Sequence, residues 1–473
     1  MRAEVAEQLH KFGYQNLRPG QDEIITAVLA GRDVLGILPT GSGKTLCYQI
    51  PGMLLPGITL VVEPLLALMR EQVLRMQASG AGRVVALNSS LDKADMRAIL
   101  ATLATYKFVF ISPELLSRPD VLSALTRSPV SLMVVDEAHC IYQWGPDFRP
   151  AYLRLGDLRV QLGSCRVLAL TATAPISVRE VIGRQLRMQN AYVYAASVDR
   201  PELFLGVEEY PQDGQVTDRV GALLTQVHGP AIIYCRSKHQ TEELAARFAH
   251  LAGRKCNFYH AGVDEHSRML RERQFINGGL DTLFATSAFG MGVDKPDVRM
   301  VLYLGVPATL EDYQQAIGRA GRDGQPAVTA LIYSERDVSR TAQFISALPA
   351  PSLVNAIYRD AAGYANSDDA QIQLIVAYHQ AHFTPAAVNA ALSERLTVRS
   401  KSFMAVLDFL RAADCHRAAL MRHFDSEGMA HTDACCGHVT DAFLATLPEP
   451  LRRSRRDFTG WQVIFKQIFN TQA

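Results

Sequence analysis

The residues best placed to do chemistry lie in one short run, LPTGSGKTLCYQIP (residues 38–51). Gly41 and Gly43 precede Lys44 and Thr45, and the apolar run 33–38 leading into them has the composition of a buried parallel strand. Glycines let successive backbone N–H groups turn inward on phosphate oxygens, and the helix that follows presents its positive N-terminus. Thr40, Gly41, Ser42, Gly43, Lys44 and Thr45 therefore form a candidate cradle for a nucleoside triphosphate. Lys44 supplies a point charge there and Thr45 a hydroxyl for Mg²⁺. A second run, MVVDEAHC (residues 133–140), is an apolar strand ending in two carboxylates. A metal ion beside phosphates needs a carboxylate and an attacking water needs a base, so Asp136 suits the first role and Glu137 the second.

Strands must carry these groups to one place. Apolar segments at residues 58–62, 83–87, 106–111, 132–135 and 167–170 alternate with helical stretches. Strands joined by crossover helices imply an α/β fold whose parallel sheet is covered on both faces and binds ligands at its carboxyl ends. Lys44, Glu63, Ser112, Asp136 and Thr171 fall at those ends. Upstream, residues 4–12 read as a helix leading into FGYQNLRPGQ. Tyr14, Arg18 and Gln21 there offer a flat ring and edge-reading groups for a purine, although core packing explains them equally well. Residues 197–203, SVDRPEL, read as a connector, after which the strand pattern restarts with AIIYC, NFYHAG, TLFATS and MVLYLGVP. A second sheet domain without its own phosphate loop suits a partner that closes over the first. Its AIGRAGRDG (residues 316–324) sets Arg319 and Arg322 among small residues, which fits charge stabilisation on a shared γ-phosphate, an effect of about 10³ to 10⁵ in rate. The plainer alternative is a solvated arginine turn.

Composition bounds the rest. At 473 residues the chain suits about three domains of ~150 residues each. Its 48 basic and 47 acidic residues nearly cancel, so any footprint for nucleic acid must be local. The N-terminus lacks a signal peptide's apolar core and no apolar run reaches ~18 residues, so a soluble, cytoplasmic protein with no membrane partner is expected. Cys47, Cys140, Cys165, Cys235 and Cys256 lie singly in or near apolar segments, as buried thiols do in a reducing compartment.

Taken together, these motifs resemble superfamily 2 helicases and, more narrowly, the RecQ family of DNA helicases, over about residues 9–436. FGYQNLRPGQ resembles the family's N-terminal motif, which implies adenine contacts for Tyr14, Arg18 and Gln21. VVEPLLALMREQ, FISPELL, ALTATA, YCRSKHQTEELA, YHAG and ATSAFGMGVDKPDVR resemble successive family motifs in family order. QAIGRAGRDG resembles the last, with Gln315, Arg319 and Arg322 at the γ-phosphate-sensing positions. CIYQWGPDFRPAY resembles the aromatic-rich loop that couples single-stranded DNA to ATP hydrolysis. Trp144 and Phe148 offer stacking faces worth about 1 to 3 kcal/mol per base, and Arg149 can reach phosphate; core aromatics are the alternative. The resemblance implies two tandem RecA-like domains, ATP and Mg²⁺ as cofactors, and 3′ to 5′ movement on single-stranded DNA with unwinding of duplex or branched DNA. An RNA helicase, or an annealing protein with a weakly coupled ATPase, remains the alternative. The chain departs from the family at Tyr142 (usually Ser), Pro146 (usually His), Glu63 (usually Ser, and expected near the DNA path), Tyr303 and Ala316.

Beyond the proline-rich break at residues 345–353, helical stretches resemble the RecQ zinc subdomain. Cys415 matches its first ligand, while HTDACCGHVTD replaces the compact three-cysteine loop. Cys415, Cys435, Cys436 and His438, with His431 as a further donor, offer Zn²⁺ chemistry, and a metal-free subdomain fits as well. The expected units are residues 1–200 and 201–346 for the two RecA-like domains, 347–441 for the helical subdomain and 442–473 for a tail. In that tail Arg452, Arg453, Arg455 and Arg456 precede an amphipathic stripe of Trp461, Ile464, Phe465, Ile468 and Phe469, a candidate duplex-DNA grip on a docked helix.

Overall fold

The computed structural model describes residues 3–39, 41–64, 66–88, 91–143, 150–290, 295–432 and 434–448. Thr40, the aromatic run holding Trp144, Phe148 and Arg149, and the tail expected at residues 442–473 from position 449 onward lie outside the described residues.

Two seven-stranded sheets dominate. The first orders its strands β3-β4-β2-β5-β6-β1-β7, from β1 (Val34–Ile37), β2 (Ile58–Val62), β3 (Val84–Leu87), β4 (Phe108–Ile111), β5 (Val130–Val135), β6 (Arg166–Thr171) and β7 (Tyr192–Ala195). The second runs β10-β11-β9-β12-β13-β8-β14, from β8 (Leu203–Tyr210), β9 (Ala231–Tyr234), β10 (Cys256–Tyr259), β11 (Thr282–Ala285), β12 (Met300–Leu304), β13 (Ala327–Ser334) and β14 (Cys436–Gly437). Every pairing is parallel. The chain is thus an α/β protein with two tandem parallel-sheet domains, as its strand pattern predicts, and they are the RecA-like pair that the resemblance implies.

Both faces of each sheet are buried, which is why the strands are apolar throughout rather than alternating. Along β6, Val167 and Ala169 enter one core while Leu168 and Leu170 enter the other. The second sheet does the same at β9, with Ile232 and Tyr234 on one side and Ala231 and Ile233 on the other. Asp33, at the foot of β1, takes Arg159 Nη2 at 2.7 and 2.9 Å and the backbone N–H of Val167 at 3.0 Å, pinning β1 to β6 beneath the phosphate loop.

The helices after residue 350 pack against both sheet domains. Val354, Ile375, Tyr378, Val388 and Leu392 make a small core against which Leu153 of the first domain packs. The long helix Pro385–Leu410 starts in that core, and its second half buries Phe403, Val406 and Phe409 in the core of the second sheet. Arg417, on the helix His416–His423, is 1% exposed; it pairs with Asp199 and donates to the carbonyls of Arg200 (3.0 Å), Leu203 and Cys435 (3.3 Å). One side chain therefore ties the interdomain linker to the cysteine-rich segment. Among the described residues, no helix is long and apolar enough to cross a membrane.

Removing one partner of the buried Asp33–Arg159 pair strands the other charge in a low-dielectric interior. Asp33→Ala is expected to destabilise the first domain by about 3 to 5 kcal/mol, read from its urea unfolding transition by circular dichroism.

Candidate active site

Strand β1 delivers the chain to the phosphate loop. Leu38 stands where the general GxxxxGKT pattern has its first glycine and is 1% exposed, so the left-handed turns fall to Gly41 (φ 84°) and Gly43 (φ 79°). Gln21, 1% exposed, braces this loop: its Nε2 donates to the carbonyls of Ser42 (2.9 Å) and Gly43 (3.0 Å), and its Oε1 accepts from Arg18 N (2.8 Å). Arg18 Nη1 in turn donates to the Gly41 carbonyl. Arg18 and Gln21 thus hold the loop itself in this structure, while Tyr14 keeps a half-exposed ring. The Thr45 hydroxyl accepts from Gln72 Nε2 at 3.5 Å, the limit of a hydrogen bond.

Lys44 Nζ lies 3.4 Å from Glu137 Oε1, both largely buried. Glu137 is held in the left-handed region (φ 47°) with its N–H on Asp136 Oδ1 at 2.9 Å, and His139 Nδ1 sits 3.3 Å from Glu137 Oε2 and 3.0 Å from Thr171 Oγ1. A backbone bond from Asp136 N to Val62 O (3.1 Å) sets the ends of β2 and β5 side by side. That register brings Glu63, 2% exposed, into the electrostatic reach of Lys44. Strand alignment thus sets Glu63 with the phosphate-site carboxylates at the carboxyl ends of the strands, where the sequence pattern puts it.

The electrostatics follow from burial. Burial alone would lower the Lys44 pKa, but the carboxylates of Glu137, Asp136 and Glu63 outweigh it and raise it. Glu137 is likewise pushed up by burial, then carried below its ordinary value by Lys44, His139 and Arg319. Asp136 has no such surplus: burial pushes it up to about 6 despite Lys44.

The second domain faces this cluster across a cleft. The helix Leu310–Ile317 leads into the arginine motif; its Gln314 donates to Val198 O (3.0 Å), and Gln315 lines a small cleft with Pro39, Thr173 and Arg200. Arg319, 6% exposed, packs on Gly290 (φ 133°), where an added Cβ would lie 2.3 Å from its guanidinium. The Arg322 Cδ lies 3.9 Å from where a Gly41 Cβ would stand, so this arginine reaches the phosphate loop of the other domain. Ser42 Oγ and Arg319 Nε are buried and have no hydrogen-bond partner among the described residues. Buried donors of that kind, beside a glycine nest, a lysine and a carboxylate, fit a triphosphate and its Mg²⁺.

A second cluster gathers Cys415, His431, Cys435 and Cys436, whose donor atoms all lie within 4.8 Å of one another. The sulfur separations are 3.7 Å (Cys415–Cys435), 3.6 Å (Cys415–Cys436) and 3.3 Å (Cys435–Cys436), with His431 Nδ1 3.1 Å from Cys435 Sγ. Tetrahedral Zn²⁺ with bonds of ~2.3 Å to sulfur needs edges of about 3.8 Å, so the donor set and its spacing suit zinc. Both neighbouring cysteines face inward because Cys435 closes a turn (N–H to Thr432 O, 3.0 Å) while Cys436 pairs with Leu205 in β14. His438, expected as a ligand, instead sits 3.7 Å from Glu208 outside the cluster; His431 takes its place.

Comparison with known proteins agrees with this geometry. A DEAD/DEAH box helicase family model matches residues 18–181, and a helicase conserved C-terminal domain model matches residues 215–324. The probable ATP-dependent DNA helicase RecS of Bacillus subtilis is 38% identical over 481 residues, covering 98% of this chain and 97% of its own. The chain belongs to the RecQ family of helicases. The ATP-dependent DNA helicase RecQ of Pasteurella multocida is 40% identical over 329 residues, covering 69% of this chain and 51% of its own, so the match spans about half of that relative. Among solved structures, helicase Lhr of Mycobacterium smegmatis bound to ssDNA and AMP-PNP shares the fold, with a TM-score of 0.56 at 22% identity over 86% of this chain and 57% of that one.

As a RecQ-family enzyme, the chain carries site residues that motif reading passed over. Gln72 lies inside VVEPLLALMREQ, yet only the fold shows its amide turned to Thr45. Gly290, within ATSAFGMG, leaves the space that Arg319 fills. Gly290→Ala should displace the Arg319 guanidinium and lower kcat for ATP by about 10²-fold. A coupled ATPase assay with nucleotide affinity measured in parallel checks this, because the phosphate loop itself is untouched.

Proposed function

We propose that this protein is an ATP-driven translocase that moves 3′ to 5′ on single-stranded DNA and unwinds duplex or branched DNA in repair or recombination. The observation that carries the reading is the pairing across the cleft: Arg322 beside Gly41 and Arg319 within electrostatic reach of Glu137. A site split between two domains makes hydrolysis depend on how they face each other, which is what a motor needs. We further propose the division 1–200, 201–346 and 347–441 as the working units.

When bound, MgATP supplies the transferable phosphoryl group and a metal charge that offsets its oxygens. Lys44 and the N–H groups of Gly41, Ser42 and Gly43 would hold the phosphates, with Thr45 and Asp136 as the metal's protein ligands. Glu137, kept ionised by Lys44, orients the attacking water and accepts its proton. Gln315, Arg319 and Arg322 complete the charge stabilisation from the second domain. Trp144, Phe148 and Arg149 follow the DEAH box within 13 residues of Asp136, a chain distance short enough to link stacked bases to that turn. Single-stranded DNA is the partner this arrangement favours, and the location is cytoplasmic.

Lys44→Ala should abolish DNA-stimulated hydrolysis while leaving the fold intact by circular dichroism; undiminished turnover would contradict the assignment. In the parent, single-stranded DNA should stimulate ATPase more strongly than RNA of equal length. Stronger stimulation by RNA would instead favour an RNA helicase, and turnover indifferent to both a binding or annealing role.

Zn²⁺ is the ion we propose for the cluster at Cys415, His431, Cys435 and Cys436. Elemental analysis should find about one equivalent in the parent and in His438→Ala, and less than half in His431→Ala. Equal zinc in both variants would remove His431 from the ligand set.

A further inference from the structure

We propose that Arg395 is a positioning residue for ATP hydrolysis: through it, the long helix Pro385–Leu410 sets where the DEAH carboxylates stand relative to the arginines of the second domain. The inference rests on the ATP-driven reading above.

The helix is 26 residues long, or ~39 Å at 1.5 Å per residue. Arg395, Ser402 and Phe409 follow one another at intervals of seven and so share one stripe of its surface. Each meets an element of the active site. Arg395, 8% exposed, donates from Nη1 to the carbonyl of Tyr142 at 3.3 Å. The Ser402 side chain lies close to the hydroxyl of the same tyrosine and pulls its pKa down against the upward push of burial. Tyr142 lies in the helical turn Cys140–Gln143, which begins four residues after Asp136. Phe409 packs on Tyr313, ring centroids 5.6 Å apart, in the helix Leu310–Ile317 that leads into Arg319.

One rigid helix therefore touches the DEAH side of the cleft at residues 395 and 402 and the arginine side at residue 409. Fourteen residues of helix fix those contacts ~21 Å apart. The far side of the joint is secured too, since Arg154 Nη1 donates to Ala381 O at 2.8 Å and Leu153 packs into the small helical core. Arg395 and Ser402 thus approach Tyr142 at two points, its carbonyl and its hydroxyl. Burial, then the charge of Arg399, pulls the Arg395 pKa down to about 9. Hydrolysis needs Glu137 and Arg319 placed together to within about 1 Å, so a strut between their supporting helices acts on kcat rather than on nucleotide affinity.

The test uses Arg395→Ala, Tyr142→Phe, Ser402→Ala and the double variant of the last two, with Lys44→Ala alongside. For Arg395→Ala we expect kcat of the DNA-stimulated ATPase to fall about 10- to 100-fold, with affinity for a fluorescent ADP analogue within about twofold of the parent. Millimolar guanidinium ion should restore much of the loss, which a residue that merely stabilises the fold would not allow. Tyr142→Phe and Ser402→Ala should each lower kcat, and their combination no further than either alone. Parental kcat in Arg395→Ala, or a loss of kcat that guanidinium leaves untouched, overturns the proposal. Should Arg395→Ala fail to fold, parental kcat in the Tyr142 and Ser402 variants overturns it as well. Full turnover in Lys44→Ala would mark failure of the ATPase reading itself, whereas a dead Lys44→Ala beside a parental Arg395→Ala sinks only the strut.

Discussion

The site depends on keeping a buried lysine charged. Lys44 sits among Asp136, Glu137 and Glu63, and taking an ammonium out of water is tolerable only when carboxylates surround it. Three carboxylates against one lysine leave an excess of negative charge, and Asp136 absorbs it by resisting ionisation. Positive charge is therefore welcome from two directions. One is a cation such as the Mg²⁺ proposed for Asp136; the other is the second domain, whose Arg319 already lowers the pKa of Glu137. The same imbalance that makes the site costly in isolation makes it responsive to ligand and to domain approach.

What the sequence disclosed follows from how local each feature is. The phosphate loop, the DEAH strand end and the arginine motif are short runs whose chemistry is written in consecutive residues. The strands in both sheet centres were legible because burial on two faces makes them continuously apolar. β8 is harder to see: LFLGVEEY carries two glutamates near its end, and Glu208 is tolerated inside because Arg219 (2.8 Å), the Tyr210 hydroxyl (2.9 Å) and Val439 N (3.0 Å) all donate to it. β7 alternates half-buried and exposed residues at an edge, and β14 is two residues long. Register decides what spacing leaves open: His431 rather than His438 joins the cysteines because the chain enters β14 between them.

The cysteine cluster is attached to the motor through the linker. Ser197 Oγ and Ser426 Oγ lie 3.0 Å apart, Val198 N donates to Ser426 Oγ at 3.2 Å, and Met429 N donates to Asp199 Oδ2 at 2.7 Å. Arg417 adds its contacts to Asp199, Arg200, Leu203 and Cys435. Asp425 reaches the first domain as well, accepting the Ile176 N–H at 2.8 Å at the start of the helix Ile176–Gln185, which its own Pro175 does not cap with a side chain. Free energy that orders the cluster therefore also orders the linker and the first turn of that helix.

Rigidity on one side of the molecule gives meaning to the incompleteness of the other. Behind the cleft, the linker and Asp425 are held by a dense set of hydrogen bonds, and the left-handed conformation of Asp425 (φ 50°) is sustained by them. Inside the cleft, Ser42 Oγ and Arg319 Nε are buried with no partner among the described residues. A body stiff at its hinge and unsatisfied at its mouth gains most by moving about that hinge onto a group rich in acceptor oxygens. A triphosphate is such a group, and its oxygens can meet both domains at once. Under the function proposed above, losing the outermost phosphoryl would remove the acceptors shared across the cleft and so reverse the bias toward closure.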